Sequence, residues 1–78
     1  MVRVNPSALR DMREARGLTL SALQVEVSAI RGKRVALSYL SELENGHKPG
    51  SPQMVKMLAE ALKCSPATLL LAPEKEAS

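Results

Sequence analysis

Apolar positions recur at helical spacing almost from one end of this chain to the other. Leu9, Met12 and Ala15 stand three apart, Leu20, Leu23 and Val27 fall at i, i+3 and i+7, and Leu37, Leu40, Leu43 and Glu44 follow steps of three and one. This is the period of a helix that buries one face. Met54, Val55, Leu58, Ala61 and Leu62 form a fourth and stronger stripe. The residues between the stripes fit the same reading. Asn5-Pro6, Ser51-Pro52 and Ser65-Pro66 each join a side chain that accepts from a free backbone N–H to a proline that has none to satisfy, and Thr19 is a cap of the first kind. Gly17 and Gly46 are placed to close helices in the left-handed conformation. The pattern predicts helices from Pro6 toward Arg16, from Thr19 to near Val27, over 36–45 and from Ser51 to Leu62. A short fifth helix is predicted from Ser65 through Leu69, Leu70 and Leu71, with Pro73 as its stop. Residues 28–35 show neither period and read as a loop. The expected fold is all-α, a compact five-helix bundle forming one domain over 1–72, followed by a polar tail over 73–78.

Composition narrows the chemistry. A chain of 78 residues has room for one small core, so tight helix packing is required. The single cysteine, Cys64, excludes an intrachain disulfide and a cysteine-based metal site; no metal and no cofactor are expected, and a reducing cytoplasm suits the chain. No apolar run approaches the roughly 20 residues that cross a bilayer. There is also no nucleophile elbow, phosphate-cradling glycine loop or histidine–carboxylate cluster at ligand spacing, so an enzyme is not expected.

Charge is unevenly placed. Residues 1–50 carry eight Lys or Arg against five acids, whereas residues 51–78 carry three against three. The excess lies where a polyanion-binding face would need it, although extra positive charge also serves solubility. Three of these cations, Arg31, Lys33 and Arg34, flank a glycine in the expected 28–35 loop. There they are candidates for phosphate contact, and the alternative is a merely solvated loop.

The series Leu9, Arg13, Gly17, Leu18, Thr19, Leu23, then Tyr39-Leu40-Ser41-Glu42-Leu43-Glu44-Asn45-Gly46, then Pro52 and 58–62 resembles the phage-repressor and Cro type of helix-turn-helix domain (the xenobiotic-response-element family) over about 7–71. The resemblance implies a lambda-repressor-like bundle whose second helix lies across the DNA backbone while the third enters the major groove. It further implies base-facing roles for Leu37, Ser38, Tyr39 and Glu42, phosphate contacts from Asn45 and the following His47 and Lys48, and an ion pair between Arg13 and Glu44. Independently, an open helix start at Thr19, Leu20 and Ser21 offers N–H donors and a positive dipole end to a phosphate. The chain departs from the family at three places. Leu20 replaces a usual polar side chain, Ala36 stands where a hydroxyl cap is common, so that Ser38 is an alternative cap, and the link between helices 2 and 3 is longer by about six residues than the usual tight turn.

Single residues keep two readings. Tyr39 is either a half-buried packing residue or a contact to a thymine methyl or a phosphate. Glu42 either accepts from a cytosine amine or pairs with a neighbouring base. His47 reads as solvent-exposed, and Cys64 as a small semi-buried apolar residue. The expected partner is double-stranded DNA, bound by a homodimer joined through Leu69, Leu70 and Leu71 unless those leucines close the core. The expected function is a sequence-specific transcriptional regulator, a repressor by preference. Two alternatives are an antitoxin or adaptor that binds another protein, and an excisionase-like architectural protein.

Overall fold

Side-chain caps start three of the four described α-helices, and a left-handed residue follows the end of each of the four. A computed structural model describes residues 2–71; Pro73 and the tail expected over 73–78 lie outside the described residues. The elements are α1 (Pro6–Ala15), α2 (Leu20–Arg31), α3 (Leu37–Glu44), α4 (Pro52–Leu62) and a single 3₁₀ turn (Pro66–Leu69). Asn5, Thr19, Ser51 and Ser65 each accept a hydrogen bond from a backbone N–H two or three residues ahead. Gly17, Gly32, Gly46 and Lys63 hold positive φ just past the four α-helices. After α3, for example, the His47 N–H donates to the Glu42 carbonyl at 2.9 Å and the Gly46 N–H to that of Leu43 at 3.3 Å, which satisfies carbonyls the helix cannot.

The core is a single cluster. Leu9 of α1, Leu23 and Val27 of α2, Leu40 and Leu43 of α3, and Met54, Val55, Leu58, Ala59, Ala61 and Leu62 of α4 are buried together. α4 supplies the central element, packed on both α2 and the 3₁₀ turn. Among the described residues no helix is long and apolar enough to cross a membrane.

The structure corrects the sequence reading at several points. Among the described residues the bundle has four α-helices rather than five. The segment after Ser65 makes one 3₁₀ turn and then extends, because Leu70 and Leu71 are drawn into main-chain pairing with the N-terminus. Leu69 is fully buried in the core, so it is not available to a dimer interface, and only Leu71 of the three leucines is exposed. α2 does not end near Val27 but continues through Arg31, where Gly32 takes φ 77° and stops it. Helical Ala29 and Ile30 carry no backbone conflict, so the first true breaker decides the length. The α2–α3 connection is therefore 32–36, and Arg31 belongs to the last turn of α2 rather than to the loop.

One feature has no counterpart in the pattern reading. Residues 2–5 run as an extended strap across the bundle. The Val2 N–H donates to the Gly50 carbonyl at 2.8 Å and the Gly50 N–H returns to Val2 at 3.0 Å. Further along, the Asn5 N–H donates to Leu69 at 2.8 Å and the Leu71 N–H to Arg3 at 3.1 Å. Val4 is buried, and a Cβ on Gly50 would stand 2.9 Å from its Cγ2. Only glycine lets the two segments approach this closely.

Candidate nucleic-acid interface

α3 owes its position to what it buries. Leu40 and Leu43 enter the core, and Glu44 is a buried charge at 6% exposure. The Arg13 side chain meets that carboxylate as a fork, with Nε donating to Oε2 at 2.6 Å and Nη2 to Oε1 at 3.1 Å, while Nη1 donates to the Leu18 carbonyl at 2.7 Å. Arg10 adds a longer contact at 3.6 Å. The hydrogen bond to Glu44 raises the Arg13 guanidinium above its ordinary pKa, against the opposing pull of burial. The Arg13 guanidinium thus ties α1, the α1–α2 turn and α3 together. A paired, fully hydrogen-bonded buried charge is tolerated, whereas either partner left alone is costly.

With one side of α3 so fixed, the opposite arc faces outward. At 100° per residue Ser38, Ser41, Glu42 and Asn45 fall on that arc, and each is exposed or half-buried. Leu37 is exposed at the start of the helix. Tyr39 is half-buried and packs against the core, so it borders the outward arc instead of standing at its centre. The Asn45 side-chain amide donates to the Ser41 carbonyl at 2.8 Å, closing the helix end. Glu42 pairs with Lys48 at 3.2 Å, the second of the two readings its sequence position allowed.

The start of α3 differs from those of the other elements. Ala36 makes no side-chain cap, and Ser38 lies within the helix and does not replace it. The first N–H groups of α3 are left to a partner from outside. At α2 the reverse holds. The Thr19 hydroxyl accepts from the Ala22 N–H at 3.0 Å, so that start is not bare, although Leu20 and Ser21 keep their N–H groups. Leu20 is half-buried and packs on the core, which accounts for an apolar residue at this position.

The basic loop before α3 is held down from below. The Val35 side chain is buried at 1% exposure. Its N–H donates to Ser28 Oγ at 2.9 Å, and its carbonyl accepts from Gln24 Nε2 at 2.8 Å. Both residues come from α2 and face the loop. With its centre pinned, the loop leaves Lys33 and Arg34 exposed beside Arg31, and none of the three has a carboxylate within ion-pair distance among the described residues. The sequence carries no local signal for the role of Gln24 and Ser28, because that role depends on where the loop folds back.

Across α3, the strap brings Arg3 to His47 and Lys48. Arg3 is a cation that sequence separation hides. Cys64 is half-buried, and burial raises its thiol pKa, which disfavours the reactive thiolate.

A short helix exposing polar side chains, preceded by a second helix across its base and flanked by unpaired cations, defines a DNA-binding domain of the helix-turn-helix class. The family model described as helix-turn-helix domain matches residues 7–71, and the chain belongs to that family. No curated protein and no solved structure matches the chain.

Proposed function

We propose that this protein is a sequence-specific regulator of transcription that reads double-stranded DNA with α3 in the major groove, in the manner of phage-repressor and Cro domains, and that it represses by occupying its site. The observation that supports this most is the bracketing of α3. Its outward arc carries uncharged or internally paired groups, Ser38, Ser41, Asn45 and the Glu42–Lys48 pair, while unpaired cations flank both ends. Eight residues make a helix about 12 Å long, against a major groove about 12 Å wide. A helix of that length places its flanks beside the phosphates that border the groove.

Within this reading Ser38 and Glu42 face base edges, with Leu37 and Tyr39 at the margins as apolar contacts for thymine methyls. Arg31, Lys33 and Arg34 contact phosphates at the near flank, helped by the open N–H groups of α3. Asn45, His47 and Lys48 do so at the far flank, and Thr19, Leu20 and Ser21 through the start of α2. Two copies on half-sites about 34–36 Å apart are the expected arrangement.

Selection of bound duplexes from a random pool tests the proposal. Expected are a consensus with symmetric half-sites, a shift in base preference at one position on Ser38→Ala or Glu42→Ala worth about 1–3 kcal/mol, and uniform weakening on every sequence for Arg34→Ala. Absence of any enriched sequence, together with no duplex binding at low salt, would end it.

A further inference from the structure

The pocket beside the C-terminal end of α3 is built from parts of the chain that lie far apart in sequence. It has a volume of about 340 Å³ and is lined by Arg3, Val4 and Pro6 on one side and by His47, Lys48 and Pro49 on the other. Arg3 comes from the strap, and its main-chain carbonyl is held by the Leu71 N–H at 3.1 Å. His47 and Lys48 come from the loop that the Gly46 turn starts, and Lys48 is drawn toward α3 by Glu42 at 3.2 Å. Arg3 has no carboxylate within ion-pair distance among the described residues. The lining therefore combines one cation without a paired anion, Arg3, with an apolar wall of valine and prolines.

We propose that this pocket grips one sugar–phosphate unit of the DNA backbone, at the phosphate that borders the groove on the far side of α3, and that Arg3 is its principal donor. The reading rests on the DNA-binding function proposed above and adds a site to it. A backbone nucleotide sets an anionic phosphate beside an apolar deoxyribose ring, and the pocket is lined by Arg3 and His47 together with Val4, Pro6 and Pro49. Arginine suits the role because its planar fork matches two phosphate oxygens at once. Glu42 partly neutralises Lys48, so the excess charge of the pocket falls on Arg3. The strap makes the site possible: two hydrogen bonds with Gly50, one to Leu69 at the end of the 3₁₀ turn and one from Leu71 beyond it hold the Arg3 main chain beside the loop. The main chain that carries Arg3 is then in place before binding, so only the side chain remains to be ordered.

The test uses the full chain and the duplex recovered by selection. Arg3→Ala keeps every main-chain bond of the strap and should melt as the parent does. It is expected to weaken duplex binding about tenfold, the size of one lost charged hydrogen bond, and to make the log–log salt slope shallower by about 0.9. A series of duplexes carrying one neutral methylphosphonate at a time should contain one on which the parent and Arg3→Ala bind equally. If Arg3→Ala matches the parent in affinity and slope while Arg34→Ala is weakened, the DNA reading stands and the pocket assignment falls. A loss on Arg3→Ala with no such methylphosphonate position overturns it too, since the charge then acts only through the general field. Deoxyribose 5-phosphate separates the other source of the same chemistry: if it shifts the Arg3 and His47 amide resonances of the free protein while Arg3→Ala leaves duplex binding untouched, the pocket holds a free anion and not the backbone. Failure of the parent to bind any duplex at low salt removes both readings together.

Discussion

The two flanks of α3 present similar chemistry but are built in different ways. At the N-terminal flank Arg31, Lys33 and Arg34 lie within four residues of one another, and the loop that carries two of them is pinned by Val35 together with Gln24 and Ser28, seven to eleven residues back. At the C-terminal flank Arg3 and Lys48 meet only because residues 2–5 cross the bundle and pair with Gly50 and Leu70. A local device needs one buried side chain and two hydrogen bonds. A non-local device needs the whole core in place, because the strap has nothing to pair with until α4 and the 3₁₀ turn are docked. The near flank should therefore survive loosening of the far one, but both depend on α3 being held at its fixed angle.

That dependence can be broken first. Glu44→Ala leaves Arg13 partly buried without its carboxylate and should cost about 3 kcal/mol, read by urea denaturation, with duplex affinity lost at both flanks. A loss of under ~1 kcal/mol would mean that the pair is a passive surface contact. Next, Val35→Ala removes the anchor of the near flank. About 2 kcal/mol is expected, between the usual costs of a deleted methyl and a full leucine truncation, while the amide hydrogens of Val2 and Gly50 should keep their exchange protection. The far flank is addressed by Gly50→Ala. Its new Cβ at 2.9 Å from Val4 Cγ2 should cost about 1–2 kcal/mol and release the Val2 and Gly50 amides to exchange, leaving that of Val35 protected. If either substitution exposes the amides of both flanks, the two are not independent units and the contrast between them is lost.

The smallest effect serves as a control. Lys63 closes α4 at φ 58°, a conformation that costs an L-residue roughly 1–2 kcal/mol, part of which glycine returns as chain entropy. Lys63→Gly should stabilise by about 0.5 kcal/mol, or near 3 °C in midpoint by calorimetry, with duplex affinity unchanged. A fall in affinity would place the end of α4 in the interface after all.

Four helix starts were legible as Asn5, Thr19, Ser51 and Ser65, and two ends as Gly17 and Gly46, because a cap or a left-handed glycine acts on its own few neighbours. The fourth end was not, since Lys63 carries no signature of positive φ. Arg13 and Glu44 could be paired only through the resemblance, as they stand 31 residues apart. The last helix ends earlier than its pattern suggests, because the apolar run Leu69-Leu70-Leu71 suits a helix and a strap partner equally well and local pattern does not distinguish them.

By itself, then, the sequence determined the helices, the apolar faces they bury and the polar arc of α3, since each follows from spacing and from chemistry within a few residues. The tertiary structure alone decided that Gln24 and Ser28 hold the basic loop, that the chain after Leu69 extends along the strap, and that Arg3 joins His47 and Lys48. These depend on which backbone groups find partners once the core has closed, and that choice is made between segments whose distance along the chain carries no local signal.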